Sequence, residues 1–329
     1  MVFIVGFSAT KYSLIAGFDA TSNVQAGKLL GVPIVGTHAH AYVQAHIDLN
    51  DAKDVALAPA TGGEEQLLLP IVLGYREKLG TDWLATNDGE LAAFINYAAA
   101  FPSSCLCLVD TYDTLKSGVR NFILVCLALD DLGYVPKGIR LDSGDLSYFS
   151  LEAAKMFLEA SVEFKRPFFT KMSIAASNDI NEEVLTSLNK QGHAINVFGI
   201  GTNLVTCQGQ PALGCVYKLV EINGTPRMKV SQMIEKVLIP GRKESFRIYG
   251  VQGWPLLDLM ICEGEEPPKE GERILCRHPF DEKKRVAVIP KRITRLHELV
   301  FDGNAGIVGG MCSMQESKEV NIALRNLKY

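Results

Sequence analysis

Short apolar runs alternate with longer amphipathic ones through the first two-thirds of the chain. Residues 31–36 form an apolar run between two glycines, the pattern of a short buried strand. Residues 88–101 and 117–132 have helical character. The second begins near Ser117 and closes on Gly133, suitable start and stop residues for a helix. Between them, residues 105–109 predict a strand that stops at Asp110-Thr111-Tyr112-Asp113. The pattern then repeats: a strand over 137–141, a helix to about Phe164, a strand over 172–176, a helix over 181–190 closing on Gly192, and a strand over 194–198. Strand and helix alternating at this spacing imply βαβ units, a parallel sheet and right-handed crossovers.

The texture changes near residue 214. Residues 217–222 and 226–230 flank Asn223-Gly224, a pair suited to a type I′ hairpin turn. Short strands are expected over 245–249, 256–261, 273–277 and 285–289, with an acidic, proline-containing loop at 263–272. The expected organisation is an α/β region over 1–213, a β-rich unit over 214–290, and a tail over 291–329 that is helical in parts and interrupted at 303–310.

Composition narrows the classes. Among 329 residues, 47% are hydrophobic and 21% charged, ordinary values for a globular chain. A formal charge of −4 argues against a general binder of nucleic acid or anionic membrane, both of which need a basic excess. No apolar run approaches the roughly 20 residues of a spanning helix. The apolar start has no basic residue before Lys11, which makes a poor signal peptide. None of the eight cysteines forms a Cys-x-x-Cys pair, so neither zinc nor a disulfide framework is expected. Cys105, Cys107 and Cys126 fall in apolar runs and read as buried reduced thiols, in keeping with a reducing cytoplasm.

The chemistry gathers where the strands end. Gly36-Thr37-His38-Ala39-His40, Asp110-Thr111-Tyr112-Asp113, Asp142-Ser143-Gly144-Asp145, Ser177-Asn178-Asp179 and Gly199-Ile200-Gly201-Thr202 are all polar strand ends. In an α/β barrel such ends converge on one face, where the active site sits. The same residue types also build ordinary turns and caps, but the opposite strand ends carry Gly133, Lys137 and Lys171 instead, so an enzyme is favoured. Backbone N–H groups and a hydroxyl at Gly199 to Thr202 suit a phosphate. Arg140 can hold a carboxylate or phosphate through two hydrogen bonds. Asp142 and Asp145 can accept ribose hydroxyls or hold a divalent ion with its waters, and a structural Arg–Asp pair is the alternative. His38 and His40 share a side if the backbone is extended. They could be ligands, structural residues or a nucleophile, and spacing alone leaves these open.

These residues carry a resemblance. Gly17-Phe18-Asp19-Ala20-Thr21-Ser22-Asn23-Val24, the run from Gly31 to His40, Gly138-Ile139-Arg140-Leu141-Asp142-Ser143-Gly144-Asp145, Ser177-Asn178, Gly199 to Thr202, and the run from Gln210 to Leu219 resemble nicotinate phosphoribosyltransferases of the eukaryotic type, in the family's order. The resemblance implies an α/β fold, an irregular and partial TIM-like barrel with a β-rich companion domain, acting as a homodimer with sites at the interface. It implies that nicotinate and 5-phosphoribosyl 1-pyrophosphate give nicotinate mononucleotide and pyrophosphate in the cytosol, coupled to ATP hydrolysis and assisted by Mg²⁺ or Mn²⁺. By resemblance His40 is the histidine that ATP phosphorylates. Thr37 and Arg140 contact nicotinate, Asp142 faces the ribose, and Gly199, Gly201 and Thr202 serve the phosphoribosyl group. No metal ligand is assigned.

The family carries a long region before Gly17, with an aromatic residue that crosses the dimer interface and an Arg-Arg-Ala element, where this chain has residues 2–10 and no match. The end at Tyr329 is also early by comparison. The alternative expectation is therefore a truncated, catalytically impaired form that acts by pairing with a full-length subunit. A quinolinate phosphoribosyltransferase is the more distant alternative.

Overall fold

The computed structural model describes residues 2–206, 218–228, 237–281, 283–299, 301–304 and 306–307. Helices α1 (Val2–Ile15), α2 (Val24–Leu30) and α3 (His40–Gln44) lead to two short strands, β1 (Ala56–Leu57) and β2 (Gln66–Leu67). Helices α4 (Leu68–Lys78), α5 (Thr81–Leu84) and α6 (Asp88–Ala100) follow. The expected alternation then appears: β3 (Leu106–Leu108), α7 (Val119–Asp131), β4 (Gly138–Leu141), α8 (Leu146–Glu163), β5 (Ser173–Ala176), α9 (Glu182–Gln191), β6 (Val197–Phe198) and α10 (Thr202–Val205).

Strands β3, β4, β5 and β6 pair in parallel and in chain order. Sequential parallel strands with intervening helices are the wall of a barrel; among the described residues this wall has four strands and does not close. Helix α7 is buried at every position from Asn121 to Leu129, as expected of a helix apolar on all sides. It can lie close to β3 because residue 118 is glycine: a Cβ there would sit 1.9 Å from the Val109 carbonyl oxygen. A single π-helical turn, Thr114–Gly118, joins the end of β3 to α7, and Asp113 caps it by accepting from the Lys116 N–H at 2.8 Å.

The helix starts follow ordinary capping chemistry. Asn87, Asp145 and Asn181 each accept a backbone N–H three residues on, at 2.8, 3.0 and 2.8 Å. No helix among the described residues is long and apolar enough to cross a membrane.

Two expectations change. Residues 31–36 are not a buried strand: Ile34 makes one isolated parallel bridge to Thr21, and Ile34 and Val35 are exposed. Pro33 has no N–H to give to a ladder, and no further strand lies beside this run among the described residues. The region from Lys291 is strand rather than helix as far as it is described.

The chain divides into two compact units, residues 1–222 with 227–239, and residues 223–226 with 240–329. Strands β7 (Glu221–Ile222) and β8 (Thr225–Pro226) flank the Asn223-Gly224 turn, where φ is +49° and +74°, as a type I′ turn requires. The rest of that expected hairpin, at 217 and 229–230, lies outside the described residues, as does most of the motif over 210–219.

The second unit contains β9 (Lys243–Tyr249), β10 (Pro255–Cys262), β11 (Ile274–Arg277), β12 (Arg285–Val288), β13 (Arg292–Arg295), β14 (Phe301–Asp302) and β15 (Gly306–Ile307). Strand β9 is central between β10 and β13, both antiparallel to it. Arg247 and Asp258, opposite each other in that ladder, form a two-pronged pair at 2.8 and 2.9 Å. Ile293 and Thr294 are β-branched, and the Arg292 guanidinium lies 3.6 Å from the ring centre of Tyr249, its ladder partner. Those features hold residues 292–295 as a strand. The tail expected over 308–329 lies outside the described residues.

Candidate active site

The ends of β3 and β4 place two aspartates side by side. The register pairs Leu108 with Arg140, so Asp110 and Asp142 emerge together at the strand C-termini. Asp110 is buried, and its Oδ2 accepts the Asp142 N–H at 3.0 Å and the Ser143 hydroxyl. Asp142 Oδ1 accepts the hydroxyl of Ser177, at the end of neighbouring β5.

His40 faces this pair. It is the first residue of α3, and its Nε2 stands 3.6 Å from Asp142 Oδ2 and 4.0 Å from Asp110 Oδ1. Its Nδ1 lies 3.0 Å from the Thr111 hydroxyl. Carboxylates only accept, so the proton belongs on Nε2, and the Thr111 hydroxyl then donates to Nδ1. Burial alone would raise the pKa of Asp142. The facing His40, the Ser177 hydroxyl and Arg140 outweigh it and hold the group down at about 2.

Arg140, two residues before Asp142 on the same strand face, reaches it with Nη2 to Oδ1 at 3.7 Å. Its Nε is buried without a hydrogen-bond partner, so the pairing leaves the guanidinium with donor capacity to spare. Gly144 makes the loop after Asp142 possible: its φ is +74°, and a Cβ would meet the Phe149 ring at 2.5 Å. Asp145 is occupied as the cap of α8.

The other expected residues are placed less centrally. Thr37 is half-buried, and its hydroxyl donates to the Leu106 carbonyl at 2.8 Å, so that hydrogen is already used. Gly199 follows β6; its N–H bonds Ala176 O at 2.8 Å, and a Cβ there would be 3.5 Å from that of Ser177. Gly201 has open space where a Cβ would be, and Thr202 begins α10, both exposed. This segment joins the cluster through Ser177.

His38 separates from His40 altogether. It is buried against Tyr42, Phe94 and Tyr97, its Nε2 accepts the Leu108 N–H at 3.2 Å, and burial lowers its pKa to about 4. A neutral ring in that position is structural.

Asp110, Thr111 and Ser177 are cluster members that strand-end polarity marked without assigning them a part. Asn178 and Asp179, immediately after Ser177, both have positive φ, +90° and +52°, a strained turn of the kind found at functional sites.

The profile of the nicotinate phosphoribosyltransferase (NAPRTase) family matches residues 10–245, and that of the nicotinate phosphoribosyltransferase C-terminal domain matches 242–323. Nicotinate phosphoribosyltransferase 1 of Arabidopsis thaliana is 52% identical over 91% of this chain and 55% of its own. The Caenorhabditis elegans nicotinate phosphoribosyltransferase is 48% identical over 98% of this chain and 58% of its own, and the human one 43% over 82% and 51%. The crystal structure of human nicotinic acid phosphoribosyltransferase aligns with 98% of this chain and 62% of its own, with a TM-score of 0.55 and 35% identity. The chain spans about half the length of the curated relatives it matches.

Proposed function

Because the chain belongs to the nicotinate phosphoribosyltransferase family, we propose that the cluster at its strand ends is the phosphoribosyl-transfer site that makes nicotinate mononucleotide, the entry to NAD from nicotinate. The observation that carries this reading is the facing pair His40 and Asp142, with Asp142 kept ionised and Arg140 beside it.

In the transfer, the nicotinate ring nitrogen bonds to the ribose anomeric carbon of 5-phosphoribosyl 1-pyrophosphate as the bond to pyrophosphate breaks. Positive charge builds on the ribose during that step, and the ionised Asp142 stands where it stabilises such charge. The guanidinium of Arg140 takes the nicotinate carboxylate. Thr37 joins it only by giving up its bond to Leu106. Gly199 and Gly201, without side chains, and the Thr202 hydroxyl receive the phosphoribosyl phosphate.

ATP enters through His40. The proton on Nε2 is held toward the aspartates, so Nδ1 carries the lone pair. It attacks the terminal phosphorus as the Thr111 hydroxyl turns aside: an N–P bond forms, the P–O bond to ADP breaks, and the Nε2 proton stays in place. Hydrolysis of that phosphohistidine then drives the synthesis.

Among the described residues no group of three or more His, Cys, Asp or Glu is arranged to hold a metal ion. The donors present fit a Mg²⁺ or Mn²⁺ that arrives on the pyrophosphate, with Asp142 as the carboxylate facing it. Such an ion would neutralise charge on the departing pyrophosphate.

We place the protein in the cytosol and as a homodimer. Support for the first is that Cys105, Cys107 and Cys126 are buried in the core as small apolar side chains. Support for the second is the exposed apolar side chains of Tyr12, Ile15, Val24, Leu29 and Val35.

The test is pyrophosphate release by the purified chain from nicotinate, 5-phosphoribosyl 1-pyrophosphate and ATP. The expected result is release that requires nicotinate and is lost in Asp142→Ala. Release with quinolinate in place of nicotinate, or release that Asp142→Ala leaves intact, contradicts the reading.

A further inference from the structure

The pole of the sheet opposite His40 is also built from a pattern. Lys137 immediately precedes β4, and Lys171 lies two residues before β5, so both stand at strand N-terminal ends. The Ser173 N–H bonds the Lys137 carbonyl at 2.8 Å, which locks the two strand starts together. Here the surface opens into a cavity of about 630 Å³, lined among others by Lys137, Lys171, Ser103, Ser173, Tyr134 and Pro136.

No carboxylate lines this cavity. Neither lysine has an ion-pair partner among the described residues, and the side chains of Ser103 and Ser173 make no hydrogen bond there. Tyr134 is fixed: its hydroxyl donates to the Ala58 carbonyl at 2.9 Å, so its ring and Pro136 form a firm apolar wall. Two lysines and two serines line one space, residue types whose ammonium and hydroxyl groups suit the charge and the acceptor oxygens of a phosphate dianion. The volume is that of a small-molecule pocket.

We infer that this cavity binds a phosphate monoester, with the phosphate between Lys137 and Lys171 and the organic part against Tyr134. It is separate from the site above: Lys137 and Asp142 lie at opposite ends of one extended strand, roughly 16 Å apart. The inference stands independently of the proposed reaction.

The test is lysine acylation of the whole chain, mapped by mass spectrometry, with ribose 5-phosphate as the probe and ribose as the control. Saturating ribose 5-phosphate is expected to slow acylation of Lys137 and Lys171 about tenfold, while exposed Lys155 and Lys190 react as before. The protection is expected to persist in Arg140→Ala, because that substitution affects only the other pole. Unchanged acylation of Lys137 and Lys171, equal protection by ribose, protection spread evenly to Lys155, or protection that disappears in Arg140→Ala would each overturn the inference.

Discussion

The imidazole Nε2 of His40 stands 3.6 Å from the carboxylate Oδ2 of Asp142, although 101 positions of sequence separate them. The contact depends on α3 beginning at His40 and on β4 ending at Leu141, one residue before Asp142, so local structure at both places sets the geometry of the site. It also makes the charge on Asp142 part of the folding energetics.

The Asp142 carboxyl is held at about 2, against 3.8 for the free group. For an acid with a depressed pKa, the stabilisation is present above the unfolded value and is lost as pH falls through the folded one. Asp142→Asn is therefore expected to cost about 2 kcal/mol at pH 7, with the difference from the parent fading between about pH 4 and pH 2. Urea unfolding across that range checks this, and a difference that does not change with pH counts against the assignment.

Glu90 behaves in the opposite sense. Burial raises its pKa to about 8, and hydrogen bonds from Ser117 at 2.6 Å and Asn121 at 3.0 Å offset this only in part. The folded state keeps the proton that the unfolded chain releases above about pH 4.5, so stability is lost as pH rises toward about 8. Glu90→Gln removes that loss. It is expected to become more stable than the parent progressively over this window, by a few kcal/mol at its end. Paired denaturation curves at pH 4 and pH 8 decide it.

Histidines 38 and 40 are expected to part in experiment as they do in space. His38→Ala removes the acceptor of the Leu108 N–H and the packing on Tyr42, Phe94 and Tyr97, a loss of about 3 kcal/mol. The depressed pKa of His38, about 4 against 6.5, means the parent is destabilised as pH falls from about 6.5 to 4, and the variant escapes that part of the slope. Thermal unfolding of both single variants tests the contrast, with His40→Ala expected to cost less than His38→Ala, no more than the share of the Asp142 stabilisation that its ring supplies.

Cys262 is exposed, whereas Cys105, Cys107 and Cys126 are buried, and burial raises the last two thiols well above the ordinary range. Among the described cysteines, a maleimide is expected to label Cys262 in the native chain, and Cys105, Cys107, Cys126 and the also buried Cys276 only after denaturation. Early labelling of Cys105 or Cys107 would mean that β3 is not packed as described.

Much of this architecture is legible in the sequence because apolar runs of four or five residues, separated by amphipathic segments, specify buried parallel strands directly. Each strand from β3 to β6 falls inside a run expected to be one, and the Asn223-Gly224 turn has the backbone that this pair demands. Residues 31–36 mislead because their composition is that of a strand, while strand formation depends on neighbours that composition does not show. Residues 292–295, within a tail expected to be helical in parts, become a strand by pairing with β9. Within the site, Arg140 and Asp142 are readable as two residues on one strand face. Asp110, Thr111 and Ser177 gain their parts only from register between strands, which no local pattern records. The divergence of His38 and His40 follows from a helix that begins between them.

The measurement that bears most directly on the account is acid-labile phosphate transfer from γ-labelled ATP to the chain, located by peptide mapping. The account predicts label on His40, absent in His40→Ala and retained in a folded His38 variant. Label that persists in His40→Ala, or that maps to another residue, contradicts it.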